Sequence, residues 1–127
     1  MSDVKTTSQN QPTDLKVRAY YLSIRMIQFL DTLPEKRTYW VIGDQLLRST
    51  TSIGANIVEA KAASSRKDFI KFYEISLKSA NESKYWLGLL RDATKVKSPE
   101  IAKLLDEVDQ VSKMLGASIL TLKNKKF

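Results

Sequence analysis

The sequence predicts an all-α protein, an antiparallel up-down-up-down four-helix bundle. Four segments of the 127-residue chain place apolar residues three and four positions apart, which is the spacing of an amphipathic helix. The chain holds only four glycines and three prolines, and no segment shows the apolar–polar alternation of a strand. Because short connections join the segments, consecutive helices are expected to pack as antiparallel neighbours.

The first predicted helix begins after Asp14, a suitable N-cap residue, and Pro34 ends it. Its apolar heptad positions are Leu15, Ala19, Leu22, Met26, Phe29 and Leu33. Residues 1–13 are rich in Ser, Thr, Gln and Asn, which predicts a disordered leader. The bundle is then expected over residues 14–123, with residues 124–127 as a basic tail.

The second predicted helix runs from about Thr38 to about Ala63 and contains Gly43 and Gly54. Each glycine costs a helix about 1 kcal/mol relative to alanine. The glycines share a strip beside the main apolar face with Leu47, Thr51 and Val58. We interpret this strip as a site of close approach between helices, with a kink as the alternative.

The third and fourth predicted helices have clear start signals. Ser65 and Asp68 resemble a capping box, and the helix after them continues to about Thr94. Ser98 and Pro99 fit the N-cap and first helical position of the fourth helix. The middle of helix 3 is small and hydroxylated, at positions where helices approach closely or share hydrogen bonds: Ser76, Ser79, Ala80 and Ser83. Another side of helix 3 is predicted as a charged, solvated face: Lys67, Lys71, Glu74, Lys78, Glu82 and Tyr85.

The composition excludes several kinds of function. The chain has no cysteine and no histidine, which removes disulfides, most zinc sites and the usual general base near neutral pH. It also lacks a glycine-rich phosphate loop. We therefore expect no catalytic residue, no cofactor, no metal site and no enzymatic activity. The absence of a signal peptide or a long apolar run predicts a cytoplasmic protein without a membrane partner.

The net charge of +7 favours attraction to polyanions such as RNA and DNA. Antiparallel order brings the starts of helices 1 and 3 and the ends of helices 2 and 4 together, and we call this the basic end. Nine basic residues are expected there: Lys16, Arg18, Lys61, Arg66, Lys67, Lys71, Lys123, Lys125 and Lys126. The basic end is either a phosphate-binding surface, which the N-terminus of helix 3 would support, or a source of charge for solubility.

A second candidate surface is a polar stripe on helix 2. At about 100° per residue, one narrow stripe contains Gln45, Arg48, Ser52, Asn56 and Glu59. Amides and hydroxyls are unusual in mid-helix on a plain solvated face. Because the stripe faces away from the main apolar arc, we expect a neighbouring subunit to cover it and to pair with Arg48 and Glu59. The alternative is a hydrated face.

The same stretch carries a resemblance to a known family. Residues 45–49 read Gln-Leu-Leu-Arg-Ser, and residues 52–60 read Ser-Ile-Gly-Ala-Asn-Ile-Val-Glu-Ala. A second match covers Ser65–Phe72 and residues 75–79 and leads to Glu82. In these motifs the chain resembles the bacterial four-helix-bundle proteins of the 23S ribosomal RNA intervening-sequence type. It departs from them at Leu47, where the family often has a basic residue, and at Ala60, where it often has glycine.

The resemblance implies an up-down four-helix bundle that assembles into a homopentamer and has no established enzymatic activity. Some members of the family are encoded within insertions in ribosomal RNA genes. A similar bundle is the basic accessory subunit of diversity-generating retroelements, where it contacts nucleic acid and a reverse transcriptase. Association of the present chain with RNA or DNA is thus an analogy of fold and charge.

Two hypotheses of function follow. In the first, the chain is a non-enzymatic homo-oligomer, a pentamer by the resemblance, that binds RNA or DNA through its basic end, and the ring of subunits strengthens weak single contacts. In the second, it is a scaffold or adaptor for a co-encoded protein. An unrecognised hydrolase remains a distant third alternative.

Overall fold

The computed structural model describes residues 14–125 and contains four helices. They are α1 (Leu15–Leu30), α2 (Arg37–Lys61), α3 (Arg66–Ala93) and α4 (Pro99–Asn124). Each helix packs against the next, and α4 packs back against α1, which closes the bundle. No strand occurs within residues 14–125, so the predicted all-α fold class is confirmed. The leader expected over residues 1–13 lies outside the described residues.

The helix starts agree with the capping signals in the sequence. The side chains of Asp14, Ser65 and Ser98 each accept a hydrogen bond from a backbone amide two or three residues ahead, at 2.9 to 3.1 Å. Such a bond satisfies one of the amides that a helix N-terminus leaves without an intrahelical partner. The starts of α1, α3 and α4 are therefore set by local sequence.

The end of α1 differs from the prediction. The helix ends at Leu30 instead of continuing to Leu33. The Thr32 hydroxyl donates a 2.6 Å hydrogen bond to the Phe29 carbonyl, and the Leu33 amide donates to the Leu30 carbonyl. These bonds satisfy carbonyl groups of the last turn, so the chain turns toward α2 before it reaches Pro34.

The core lies on the bundle axis and receives apolar side chains from every helix. Its largest fully buried members are Leu22, Met26, Leu46, Ile53, Ile57, Leu87, Leu90, Leu104, Val108, Val111 and Leu115. The predicted heptad positions of α1 include Leu22 and Met26, and a core shared by four helices is the arrangement of an antiparallel bundle.

Gly43 and Gly54 lie on the side of α2 that faces α1. A Cβ atom at Gly54 would lie 3.5 Å from the Ala19 Cβ and 3.8 Å from the Ala19 carbonyl carbon. At Gly43 it would lie 3.6 Å from the Leu30 Cδ2. These are ordinary van der Waals distances, so the spacing of α1 and α2 would accommodate alanine at both positions. The α2 helix continues through both glycines and packs against α1 there, but this packing does not require glycine.

Gly88 and Gly116 serve no such contact, which gives a first prediction. A Cβ atom at either position meets no other atom within 4 Å. We therefore expect Gly88→Ala and Gly116→Ala each to raise the free energy of unfolding by about 0.5–1 kcal/mol, because alanine loses less backbone entropy in a helix. Urea denaturation measures this. Gly54→Leu is the opposite control: it should lower the free energy of unfolding, because a side chain larger than alanine would clash with Ala19. A loss of stability in Gly88→Ala would contradict the prediction.

Candidate nucleic-acid interface

Direct contacts join three of the helix termini at the basic end. The Arg66 guanidinium, in the first turn of α3, donates a 3.2 Å hydrogen bond to the Lys125 carbonyl just after α4. The Lys61 Nζ, at the end of α2, lies 5.6 Å from the centre of the Phe69 ring on α3. The end of α2, the start of α3 and the end of α4 therefore meet, as the antiparallel order requires.

Most of the basic side chains expected at this end are exposed. The exposed residues are Lys16, Lys61, Arg66, Lys67, Lys71, Lys123 and Lys125. One of them, Lys123, forms a 2.7 Å ion pair with Glu74, so part of its charge is balanced within the chain. Lys126 lies outside the described residues.

Arg18 is a correction to the predicted interface. Its side chain is 6% exposed, and its Nε and Nη2 donate hydrogen bonds of 3.0 and 2.7 Å to the two carboxylate oxygens of Glu107. A further 2.8 Å bond reaches the Gln110 Oε1. Because Arg18 sits at the edge of the α1 apolar face that packs on α4, its guanidinium is used inside the bundle. It does not present its charge to a phosphate.

The polar stripe of α2 faces α3 of the same chain. Arg48 pairs with Glu82 on α3 and also donates a 2.8 Å hydrogen bond to the Gln45 Oε1. The Trp86 indole N–H donates a 2.9 Å bond to the same Glu82 carboxylate. Arg48 therefore has partners within its own chain, and its pairing with a neighbouring subunit stays a prediction.

A second part of the stripe also bonds within the chain. The Asn56 Nδ2 donates to the carbonyl and the hydroxyl of Ser52, at 2.9 and 3.0 Å. The Ser52 hydroxyl in turn accepts a 2.8 Å bond from Ser79 on α3. Arg48 and Glu59 are the exposed residues of the stripe, and the Glu59 side chain makes no hydrogen bond or ion pair within residues 14–125.

Below the stripe, buried hydroxyls connect the two helices. The Ser83 Oγ lies 2.8 Å from the Ser49 Oγ and 3.2 Å from the Thr50 Oγ1, and all three residues are fully buried. The Ser76 hydroxyl donates a 2.8 Å bond across to the Ile53 carbonyl of α2. The prediction that the hydroxylated middle of α3 shares hydrogen bonds with another helix is confirmed. The prediction of a solvated face is wrong for Glu82, which is half-buried and takes part in the contact between α2 and α3.

Two carboxyl groups that form surface ion pairs, those of Asp109 and Asp92, have shifted pKa values. Hydrogen bonds from Lys113 and Lys84 lower the pKa of the Asp109 carboxyl, and a hydrogen bond from Arg91 lowers the pKa of Asp92. These shifts favour the ionised form, whereas a general acid or base is tuned toward neutral pH. Within residues 14–125, no three acidic side chains are placed to hold a metal ion. No helix in the same range is both long and apolar enough to cross a bilayer.

Together, the fold and the exposed cations define a basic four-helix-bundle protein. The chain belongs to the 23S rRNA-intervening sequence protein family, whose sequence profile matches residues 13–117. It is also similar to a crystal structure, at 1.70 Å resolution, of a protein described as having unknown function, from the S23 ribosomal protein family of Bacteroides thetaiotaomicron VPI-5482. The two chains are 35% identical, with a TM-score of 0.77, over 83% of this chain and 94% of the other. No curated protein matches the chain. Neither the family description nor the similar structure names an enzymatic activity.

Proposed function

We propose that this chain is a non-enzymatic, homo-oligomeric, cytoplasmic protein that binds RNA or DNA through its basic end. The observation that carries the proposal is a set of seven exposed cations: six lie on the joined ends of α2, α3 and α4, and Lys16 lies at the start of α1. Such a surface would neutralise phosphates and release their counterions, which is the main source of sequence-independent affinity for nucleic acid.

The balance of charge differs between the two ends of the bundle. At the basic end, the seven exposed cations face four acidic residues, Asp14, Glu59, Asp68 and Glu74, which leaves a surplus of three. At the opposite end, five basic residues face four acidic ones: Lys36, Arg37, Arg91, Lys95 and Lys97 against Asp31, Glu35, Asp92 and Glu100. A polyanion is therefore expected to prefer the basic end.

Exposed apolar side chains support the oligomeric part of the proposal. Trp40, Leu47 and Val58 lie along one side of α2 and are 58%, 37% and 48% exposed, and Tyr20 and Ile27 on the adjacent helix α1 are 64% and 46% exposed. We call these five residues the apolar strip. A second copy that covers the strip would remove apolar surface from water. The family resemblance implies five subunits. Light scattering should therefore report about 73 kDa, the mass of five 14.5-kDa chains.

A salt series tests binding to nucleic acid. We expect the wild-type protein to bind a labelled oligonucleotide at 50 mM salt and to lose affinity as salt rises. Neutralisation of three phosphates predicts a loss of about fortyfold between 50 and 200 mM, and more contacts predict a steeper fall. Filter binding or fluorescence anisotropy measures this. Absence of binding at 50 mM, or an affinity that salt leaves unchanged, would contradict the proposal.

The apolar strip also favours a second candidate function, a scaffold or adaptor for a co-encoded protein. In that case a pull-down after nuclease treatment should recover one defined protein in constant proportion. Leu47→Asp should abolish its recovery and leave the affinity for nucleic acid unchanged. Recovery that depends on intact nucleic acid would instead support the first function.

A further inference from the structure

The basic end contains a groove with an aromatic wall. The groove has a volume of about 390 Å³ and lies between the end of α2, the start of α3 and the end of α4. Its wall on α3 is formed by Phe69 and Tyr73, whose ring centroids are 4.6 Å apart with 36° between the planes. The groove is shallow and largely open to solvent.

Polar groups accompany the aromatic wall. Lys61, Ser118 and Thr121 also line the groove. Tyr73 is 4% exposed, and its hydroxyl makes no hydrogen bond with the part of the chain that the structure describes. Because no buried side-chain polar atom there lacks a partner, the hydroxyl oxygen is the part of the side chain that reaches solvent. Tyr73 thus offers a donor and acceptor to a molecule in the groove.

We infer that this groove binds an unpaired base of a nucleic-acid strand, an inference that depends on the proposed function. The ring of Phe69 supplies a surface for stacking, and the Tyr73 hydroxyl supplies a hydrogen-bonding group. The exposed Lys61 lines the groove and can hold an adjoining phosphate. Aromatic side chains inside a basic groove are the usual means of binding single strands.

The contact between Lys61 and Phe69 is weak enough for a stacked base to replace it. Its Nζ is 5.6 Å from the centre of the Phe69 ring, which is the outer range of a cation–π contact. An exposed contact of this kind is weaker than stacking of a base on an aromatic ring. A base can therefore displace the ammonium group from the ring, and the displaced group remains near the backbone of the bound strand.

The test compares a single-stranded oligonucleotide with a duplex of the same length. The single strand carries one 2-aminopurine, whose fluorescence falls when the base stacks. We expect Phe69→Leu to weaken single-strand binding at least fivefold and to abolish the fluorescence decrease, while duplex affinity changes less than twofold. Phe69→Trp should retain both signals. DNA and RNA versions of the strand distinguish the two sources of the base.

Phe72→Leu is the matched control, because Phe72 is a half-buried phenylalanine on the same helix that does not line the groove. It should bind like wild type, and melting curves of the variants show that each one folds. The base site is overturned if Phe69→Leu leaves single-strand binding unchanged or weakens single strand and duplex equally. If the wild-type protein binds neither probe, the proposed function fails, and the base site fails with it.

Discussion

Replacement of Glu107 by alanine is expected to lower the free energy of unfolding by about 3–5 kcal/mol. Arg18 and Glu107 have side chains that are 6% and 8% exposed, and two hydrogen bonds join them between α1 and α4. Removal of the carboxylate leaves a guanidinium group that is buried without a compensating charge. Its remaining partners, Gln110 and Met114, are neutral. Chemical denaturation of the wild type and the variant measures the effect.

A second ion pair between the same two helices provides the control. Arg25 and Glu100 are 3.2 Å apart, but each side chain is 34% exposed. Water screens such a pair, so Arg25→Ala should cost less than about 1 kcal/mol. The double variant Arg18→Met/Glu107→Leu should recover most of the stability that Glu107→Ala loses, because it removes both buried charges together. Equal losses in Glu107→Ala and Arg25→Ala would show that burial of the first pair has no energetic consequence.

The fold could be predicted because its signals are local. Asp14, Ser65 and Ser98 cap helices within a few residues of themselves, and the heptads repeat within each helix. The burial of Arg18 could not be predicted in this way. Its partner Glu107 is 89 residues away, and the apolar pattern of α1 alone does not show which helix covers its edge.

The polar stripe shows the same limit. Its residue types correctly indicated a surface that is partly removed from water, but the pattern of α2 did not identify α3 as the cover. Once Glu82 and Ser79 are placed, the contacts of Arg48 and Ser52 account for their presence within a single chain. Four residues of the motif that carries the family resemblance therefore make contacts within the bundle: Gln45, Arg48, Ser52 and Asn56. Arg48 and Glu59 are the exposed residues of the stripe, and of the two only Arg48 has a side-chain partner within residues 14–125.

The second large effect concerns the charge of the basic end. We expect the triple variant Lys67→Glu/Lys71→Glu/Lys125→Glu to lose affinity for nucleic acid by on the order of a hundredfold at 100 mM salt, with a salt dependence reduced by about three phosphate contacts. All three lysines are exposed, and none forms an ion pair within residues 14–125. The fold should therefore tolerate the changes.

The control is a triple variant at the opposite end, Lys36→Glu/Lys95→Glu/Lys97→Glu, whose lysines are also exposed. Each triple variant lowers the net charge by six, from +7 to +1, so the two differ only in where the charge is lost. Anisotropy titrations against one labelled oligonucleotide compare the affinities of the two triple variants. A large loss confined to the basic-end variant is the predicted result, whereas equal losses, or a larger loss in the control, would contradict binding through the basic end.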